Sequence, residues 1–321
     1  MGKSSRGAML SMGEQPYHAP SDHQPEPSAG LRAIAYRSLA HVRGEPRHGA
    51  ELVTQMVMGE EALVLGAREP WFQVHLADGY VGWIHQGSVV CSDLADVESY
   101  LHELETRRPA PDAWIVVARG AFARRDPGPD SPPVADLVQG ARIRVDDHVE
   151  PPLWVILPDG TRGWIEPDAA VPAKRLADRF PARGKPIIEH AAEYVGLPYL
   201  WGGTSEKGFD CSGIVQRIYG LHGVPLPRDA HEQFRMGAPI EPGSSWEKVR
   251  DGDLAFFAEP PGERVTHVGI LAAGGRLIHA STSRNGVAWD QLRSGDDLTP
   301  LGARLAAWLS GVRRVLPDSV Y

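Results

Sequence analysis

The sequence predicts an α+β protein in three parts: two small β-barrels, then a C-terminal domain that mixes helices with strands. Three observations carry this expectation: an excess of Gly and Pro, an internal repeat, and a change to helical periodicity after Pro186. Gly and Pro together are 63 of 321 residues, well above a usual share of roughly 12%. Both residues form turns, so the chain has to break into many short strands rather than a bundle of long helices. With 42% apolar residues it has the material for a real core, and its length exceeds a typical single domain.

Charge and cysteine content narrow the function classes. A net charge of −8 with no Lys/Arg-rich stripe argues against nucleic acid as a partner. Cys91 and Cys211 are too few and too far apart for a disulfide framework, which leaves at least one thiol available for chemistry. Residues 1–30, rich in Pro, Ser, His and Gly, read as a flexible tail. They contain no apolar run that would make a signal peptide or a spanning helix, so the chain as written reads as cytoplasmic.

The repeat comes first along the chain. Leu76-Ala77-Asp78-Gly79-Tyr80-Val81-Gly82-Trp83-Ile84 recurs 81 residues later as Leu157-Pro158-Asp159-Gly160-Thr161-Arg162-Gly163-Trp164-Ile165. Asp-Gly between alternating stretches is a strong hairpin signal, so each copy is expected to be a hairpin whose Trp fills a small core. Further short β-rich pieces precede each copy, at 52–58 and 62–65, then at 114–118 and 141–145. About five strands in 60 residues suit a small barrel, and the copies resemble bacterial SH3-like (SH3b) domains, placed at 31–93 and 112–173. Between them Leu94, Val97, Leu101 and Leu104 have helical spacing that ends at Pro109, so 94–111 is expected to be a helical linker.

Residues 174–321 hold the reactive groups. Ile187, Ile188, Ala191, Ala192 and Val195 predict one face of a helix that stops at Gly196. Ile214, Val215, Ile218 and Leu221 predict a second, with Cys211 at its first turn. There the helix dipole and free amides would lower the thiol pKa, as a nucleophile needs. The runs 264–271 and 276–280 read as strands carrying His267 and His279. A three-residue loop centred on Ala273 would set the two histidines directly opposite each other on one face. One could then serve as base and the other could orient it. The same residues could be inert core, or one Cys with two His could bind zinc, although the closely spaced ligand pair of a structural site is absent.

The ordered motifs Pro198-Tyr199-Leu200-Trp201-Gly202-Gly203, Gly208-Phe209-Asp210-Cys211-Ser212-Gly213, Leu226-Pro227-Arg228-Asp229, Gly252-Asp253-Leu254, His267-Val268-Gly269-Ile270 and Ile278-His279-Ala280 resemble the NlpC/P60 family. These are papain-like cysteine peptidases that act on bacterial cell-wall peptides. The resemblance implies Cys211, His267 and His279 as catalytic residues and no cofactor. With two SH3b copies ahead of it, and Val53-Thr54-Gln55 and Gly59-Glu60 in the first, the chain is similar to γ-D-glutamyl-L-diamino acid endopeptidases of murein-peptide recycling. The resemblance then implies a murein tripeptide or tetrapeptide as partner. It assigns Glu60 and Tyr80 to the substrate's free amino group, and Tyr199, Trp201, Asp210, Ser212 and Asp229 to the lining of the site. The alternatives are a secreted wall hydrolase anchored by its SH3b copies and a catalytically silent wall-peptide-binding protein. Lysine or diaminopimelate preference and oligomeric state do not follow from the residues.

Overall fold

The internal repeat folds as two seven-stranded sheets with the same topology. In the computed structural model, which describes residues 30–95, 109–110, 113–146, 153–243, 245–260, 262–293, 295 and 298–317, the first has β1 (Leu31–Ala35), β2 (Leu39–Arg43), β3 (Leu52–Val57), β4 (Glu61–Arg68), β5 (Trp71–Leu76), β6 (Val81–His85) and β7 (Val89–Asp93). The second has β8 (Trp114–Val116), β9 (Ala121–Arg124), β10 (Pro133–Leu137), β11 (Arg142–Val145), β12 (Trp154–Ile156), β13 (Arg162–Trp164) and β14 (Ala170–Pro172). Their strand orders, β3-β2-β6-β5-β4-β1-β7 and β10-β9-β13-β12-β11-β8-β14, superpose by a shift of seven. The expected tail and most of the linker helix lie outside the described residues.

The hairpins form where Asp-Gly predicts them, with Gly79 and Gly160 at φ near +80°. Of the two Trp side chains expected to fill cores, one is buried, and neither joins its barrel's core cluster, which takes Ile84 and Ile165 instead. Trp164 is buried, whereas on β6 the inward positions are Gly82 and Ile84, so Trp83 is only half-buried. In a strand of period two, that phase decides which side chain enters the core. Met58, just past β3, crosses into the second barrel's core among Val116, Leu137, Ile143 and Val155, and its carbonyl accepts from the Arg142 amide at 2.8 Å.

The C-terminal domain has helices α1 (Leu176–Arg179), α2 (Gly184–Ala192), α3 (Cys211–Leu221), α4 (Ala230–Gln233) and α5 (Pro300–Ala307). Its strands are β15 (Thr204–Ser205), β16 (Gly208–Phe209), β17 (Ala238–Ile240), β18 (Asp253–Phe257), β19 (His267–Ala272), β20 (Arg276–Ser281), β21 (Gly286–Gln291) and β22 (Leu309–Arg314). Six of them form one sheet in the order β17-β22-β18-β19-β20-β21. One face packs on α2 and α3 through Ile187, Ile214, Ile218, Val268, Ile270 and Ile278. The other is covered by α5 and Trp246. Ile115 and Val117 of the second barrel pack on Phe180 and Leu221, so both barrels are fastened to this domain. Among the described residues no helix is long and apolar enough to cross a membrane.

Candidate active site

The turn from β16 into α3 presents Cys211. Asp210 is the N-cap, extended at φ −94° and ψ 179°, and its Oδ1 accepts the Gly213 amide at 2.7 Å; this cap satisfies one of the amides that a helix start leaves open. Gly213 is required by contact: a Cβ there would lie 2.1 Å from the Gly203 carbonyl oxygen. Cys211 is therefore the first residue of the helix, 8% exposed, with Sγ 3.9 Å from the Thr266 carbonyl. The lowered thiol pKa expected at a helix start is not what the surroundings produce. Burial, aided by the Asp210 carboxylate, pushes the thiol up to about 12 against the opposing pull of the Val268 and Ser212 amides and Arg228. Burial also holds His267 well below 6.5, with His279 adding to it and Asp290 opposing. The resting pair is a neutral thiol beside a neutral imidazole.

The histidines share a face but are not directly opposite. The β19–β20 register pairs Ile270 with Ile278 and Ala272 with Arg276, so the loop is centred on Gly274 rather than Ala273. Gly274 and Gly275 both sit at φ +81°, a conformation glycine adopts without strain. His279 thus faces Gly269, where a Cβ would come within 2.9 Å of the His279 Cβ. The space left by this missing side chain lets His267 reach diagonally: its Nε2 lies 2.7 Å from His279 Nδ1.

The row continues onto a third strand with a residue that the sequence reading missed. His279 Nε2 is 3.0 Å from Asp290 Oδ2, and both side chains are fully buried. Asp290 also accepts from Arg284, with Nε at 3.0 Å, and from the Thr299 hydroxyl at 2.8 Å. Burial alone would raise Asp290; the hydrogen bonds from His279, Arg284 and Thr299 outweigh it and hold the carboxyl well below its usual range. Two rings bonded to each other and to a carboxylate do not make a metal cage, and among the described residues no three His, Cys, Asp or Glu side chains are grouped to hold an ion.

The expected lining residues divide into three groups. Tyr199 lies beside Cys211, and its hydroxyl is kept protonated by burial, with the Asp210 carboxylate adding to it and Arg228 opposing. Asp229 is pushed up to about 6 by burial, with Glu232 and Asp210 raising it and Arg228 and Arg264 opposing. Tyr80, from the first barrel, is raised by burial and senses Asp229, Arg228 and Glu51. Trp201 is 37% exposed and donates from Nε1 to Glu51 Oε1 at 2.8 Å. These four gather around the place where the first barrel meets the nucleophile's domain.

Asp210 and Ser212 instead build the floor of the site. Buried Arg228 is paired with both Asp210 oxygens and reaches Ser212 Oγ at 2.8 Å and Thr54 Oγ1 of the first barrel at 3.0 Å. Asp210 Oδ2 also accepts the Gly202 amide. Glu60 is placed elsewhere: its carboxylate is bonded to Arg217 Nη1 and to the Val57 amide, each at 2.9 Å. Burial would raise Glu60, but Arg217 and Arg142 prevail and its pKa is lowered. It joins three domains instead of facing substrate. The first-barrel carboxylate at the site is Glu51, whose signal in the sequence was its place at the entry to β3, one residue before the strand that docks on this domain.

Residues 196–296 match the NlpC/P60 family model. The chain carries an NlpC/P60 cysteine-peptidase domain. Residues 42–89 match the bacterial dipeptidyl-peptidase SH3 domain. The chain is 26% identical over 246 residues to gamma-D-glutamyl-L-lysine dipeptidyl-peptidase of Bacillus cereus, covering 74% of this chain and 69% of the relative. It is 28% identical over 278 residues to dipeptidyl-peptidase 6 of Lysinibacillus sphaericus, covering 84% and 94%. A crystal structure of an NlpC/P60 family protein from Bacillus cereus shares the fold, with a TM-score of 0.70 at 22% identity over 89% of this chain and all of that one. The shared fold spans enough of this chain to take in both barrels as well as the peptidase domain.

Proposed function

We propose that this NlpC/P60 protein hydrolyses the bond between γ-D-Glu and an L-diamino acid, lysine or diaminopimelate, in wall peptides that carry a free N-terminal L-Ala, and that it does so in murein-peptide recycling. The observation that carries the reading is the closure of one end of the site by the first barrel, where Glu51, Tyr80 and Asp229 converge beside Trp201. Two half-buried carboxylates suit an ammonium, and a blocked, sugar-bearing N-terminus would bring them no positive charge to pair with. The name of the Bacillus cereus relative, gamma-D-glutamyl-L-lysine dipeptidyl-peptidase, agrees with this substrate class.

In the proposed reaction Cys211 Sγ attacks the γ-carbonyl carbon while His267 takes the thiol proton. The elevated thiol pKa makes this a general-base step rather than attack by a standing thiolate. The tetrahedral oxyanion accepts from the Cys211 amide and the Tyr199 hydroxyl. On collapse His267 protonates the leaving amine of the diamino acid, and water activated by the same imidazole then hydrolyses the thioester. The test compares L-Ala-γ-D-Glu-L-Lys with its N-acetylated twin, following L-Ala-D-Glu by mass spectrometry. The free peptide should be cleaved at least 100-fold faster, and Cys211→Ala should abolish its cleavage. Equal turnover of both peptides would overturn the recycling reading in favour of an open-cleft wall hydrolase.

A further inference from the structure

His267, His279 and Asp290 lie on one face of three adjacent strands, each a diagonal step from the last. β20 and β21 pair His279 with Ala288, so Asp290 stands two residues along on the same side. The protons of this row can be assigned by donor counting. Asp290 already accepts from Arg284 and Thr299, and as a carboxylate it has no proton to give. His279 must then donate from Nε2. With a single N–H on its ring, given to Asp290, His279 accepts at Nδ1, and the contact of 2.7 Å then has His267 donating from Nε2. The remaining nitrogen of His267, Nδ1, carries the lone pair.

We infer that Asp290 is the positioning residue of this site: through His279 it fixes His267 as the Nε2–H tautomer, leaving Nδ1 free to take the proton of Cys211. The inference rests on the cysteine-peptidase reading but not on the substrate assigned above. When the thiol proton arrives, His267 becomes an imidazolium that keeps its Nε2–H on His279, and its charge faces Asp290 across one ring. Asp290 is itself held by a device of the fold. Thr299, whose hydroxyl donates to Asp290 Oδ1, is the N-cap of α5 and accepts the Gly302 amide at 3.0 Å. Through it the start of the C-terminal helix sets the carboxylate's position.

The test uses the full chain with 15N-labelled histidine, reading from imidazole nitrogen shifts which ring nitrogen of His267 and His279 holds the proton. In the wild-type protein both should carry it on Nε2; a proton on His279 Nδ1 overturns the inference without any variant. Asp290→Asn places an amide donor against either His279 or Arg284. It should move a large fraction of His267 to the Nδ1–H form and slow iodoacetamide alkylation of Cys211 at pH 7 about 10²-fold. It should also lower kcat about 10²-fold with KM little changed, less than the roughly 10⁴-fold loss when the orienting carboxylate of a catalytic triad becomes an amide, because Asp290 acts through His279 rather than on the base itself. Asp290→Glu, which keeps the acceptor, should recover part of the alkylation rate. Thr299→Val keeps the carboxylate and should show an intermediate loss. If activity falls in Asp290→Asn while both imidazole tautomers stay as in wild type, Asp290 is merely structural. Alkylation and nitrogen shifts need no substrate, so a failure to cleave the tripeptide would count against the proposed function alone.

Discussion

Replacing Asp229 by Asn should raise stability and lower activity together, and the size of both effects follows from its surroundings. Burial lifts its pKa from 3.8 to about 6. At about 1.36 kcal/mol for each pH unit between those values, the ionised side chain costs the empty fold up to about 3 kcal/mol. With 33% of the side chain exposed, solvent screening brings this to about 1–2 kcal/mol. The sign is that of a raised carboxyl: the stability of the protonated form is present below pH 3.8 and lost as pH rises through 6. At pH 8 the Asn variant should therefore melt about 2–6 °C higher than wild type, with the gap closing below pH 4. For a peptide with a free ammonium, kcat/KM should fall about 100-fold, since a charge-assisted bond is lost. The acid limb expected of wild type near pH 6, from the raised Asp229, should disappear. Scanning calorimetry at pH 4 and pH 8, with a pH series of tripeptide hydrolysis, supplies both readings. A variant that melts no higher at pH 8, or that keeps its acid limb, refutes the reasoning.

Glu51→Gln should raise KM for the free tripeptide about tenfold with the melting temperature unchanged, whereas Glu60→Gln should leave KM alone and cost about 1–2 kcal/mol. Because the Glu60 pKa is lowered by Arg217 and Arg142, that stability is present above the ordinary Glu range and fades as pH falls through it, which urea melts at pH 7 and pH 3.5 would read. Gly269→Ala forces a methyl within 2.6 Å of Leu277 Cδ1 and 2.9 Å of His279 Cβ; it should destabilise by about 1–3 kcal/mol and lower kcat at least tenfold, measured by denaturant titration and steady-state kinetics. Arg228→Met leaves Asp210 buried without its cation and breaks the link to Thr54. It should cost about 3–5 kcal/mol in urea unfolding.

The nucleophile and its histidines were legible because their signals are local. Asp210 before an apolar row marks a helix start whatever surrounds it, and an even separation of 12 keeps His267 and His279 on one face whenever the loop between them is centred on a residue, as it is on Gly274. The centre itself was not legible, since Gly274 and Gly275 both adopt the positive φ that decides it. The same reasoning explains Trp83: alternation fixed that one of two neighbours points inward, and only packing chose Ile84.

What escaped the sequence depends on how elements meet. Asp290 joins the row only because β21 lies beside β20, and no spacing along the chain reports that pairing. Glu51 and Glu60 flank the same strand, β3, and both are acidic residues in short connections. Both reach the peptidase domain, Glu51 at Trp201 and Glu60 at Arg217, and Met58 and Arg142, which hold the Glu60 end of the strand on the second barrel, separate the two places. The thiol follows the same rule. Its helix start is a local property that lowers the pKa, but burial beneath the 264–267 segment is a property of the assembled domain and is the larger of the two. A cysteine made reluctant to ionise in the resting site needs a base whose lone pair is already turned toward it. In this fold that requirement falls on the row of side chains behind His267, whose far member, Asp290, no motif in the chain announces.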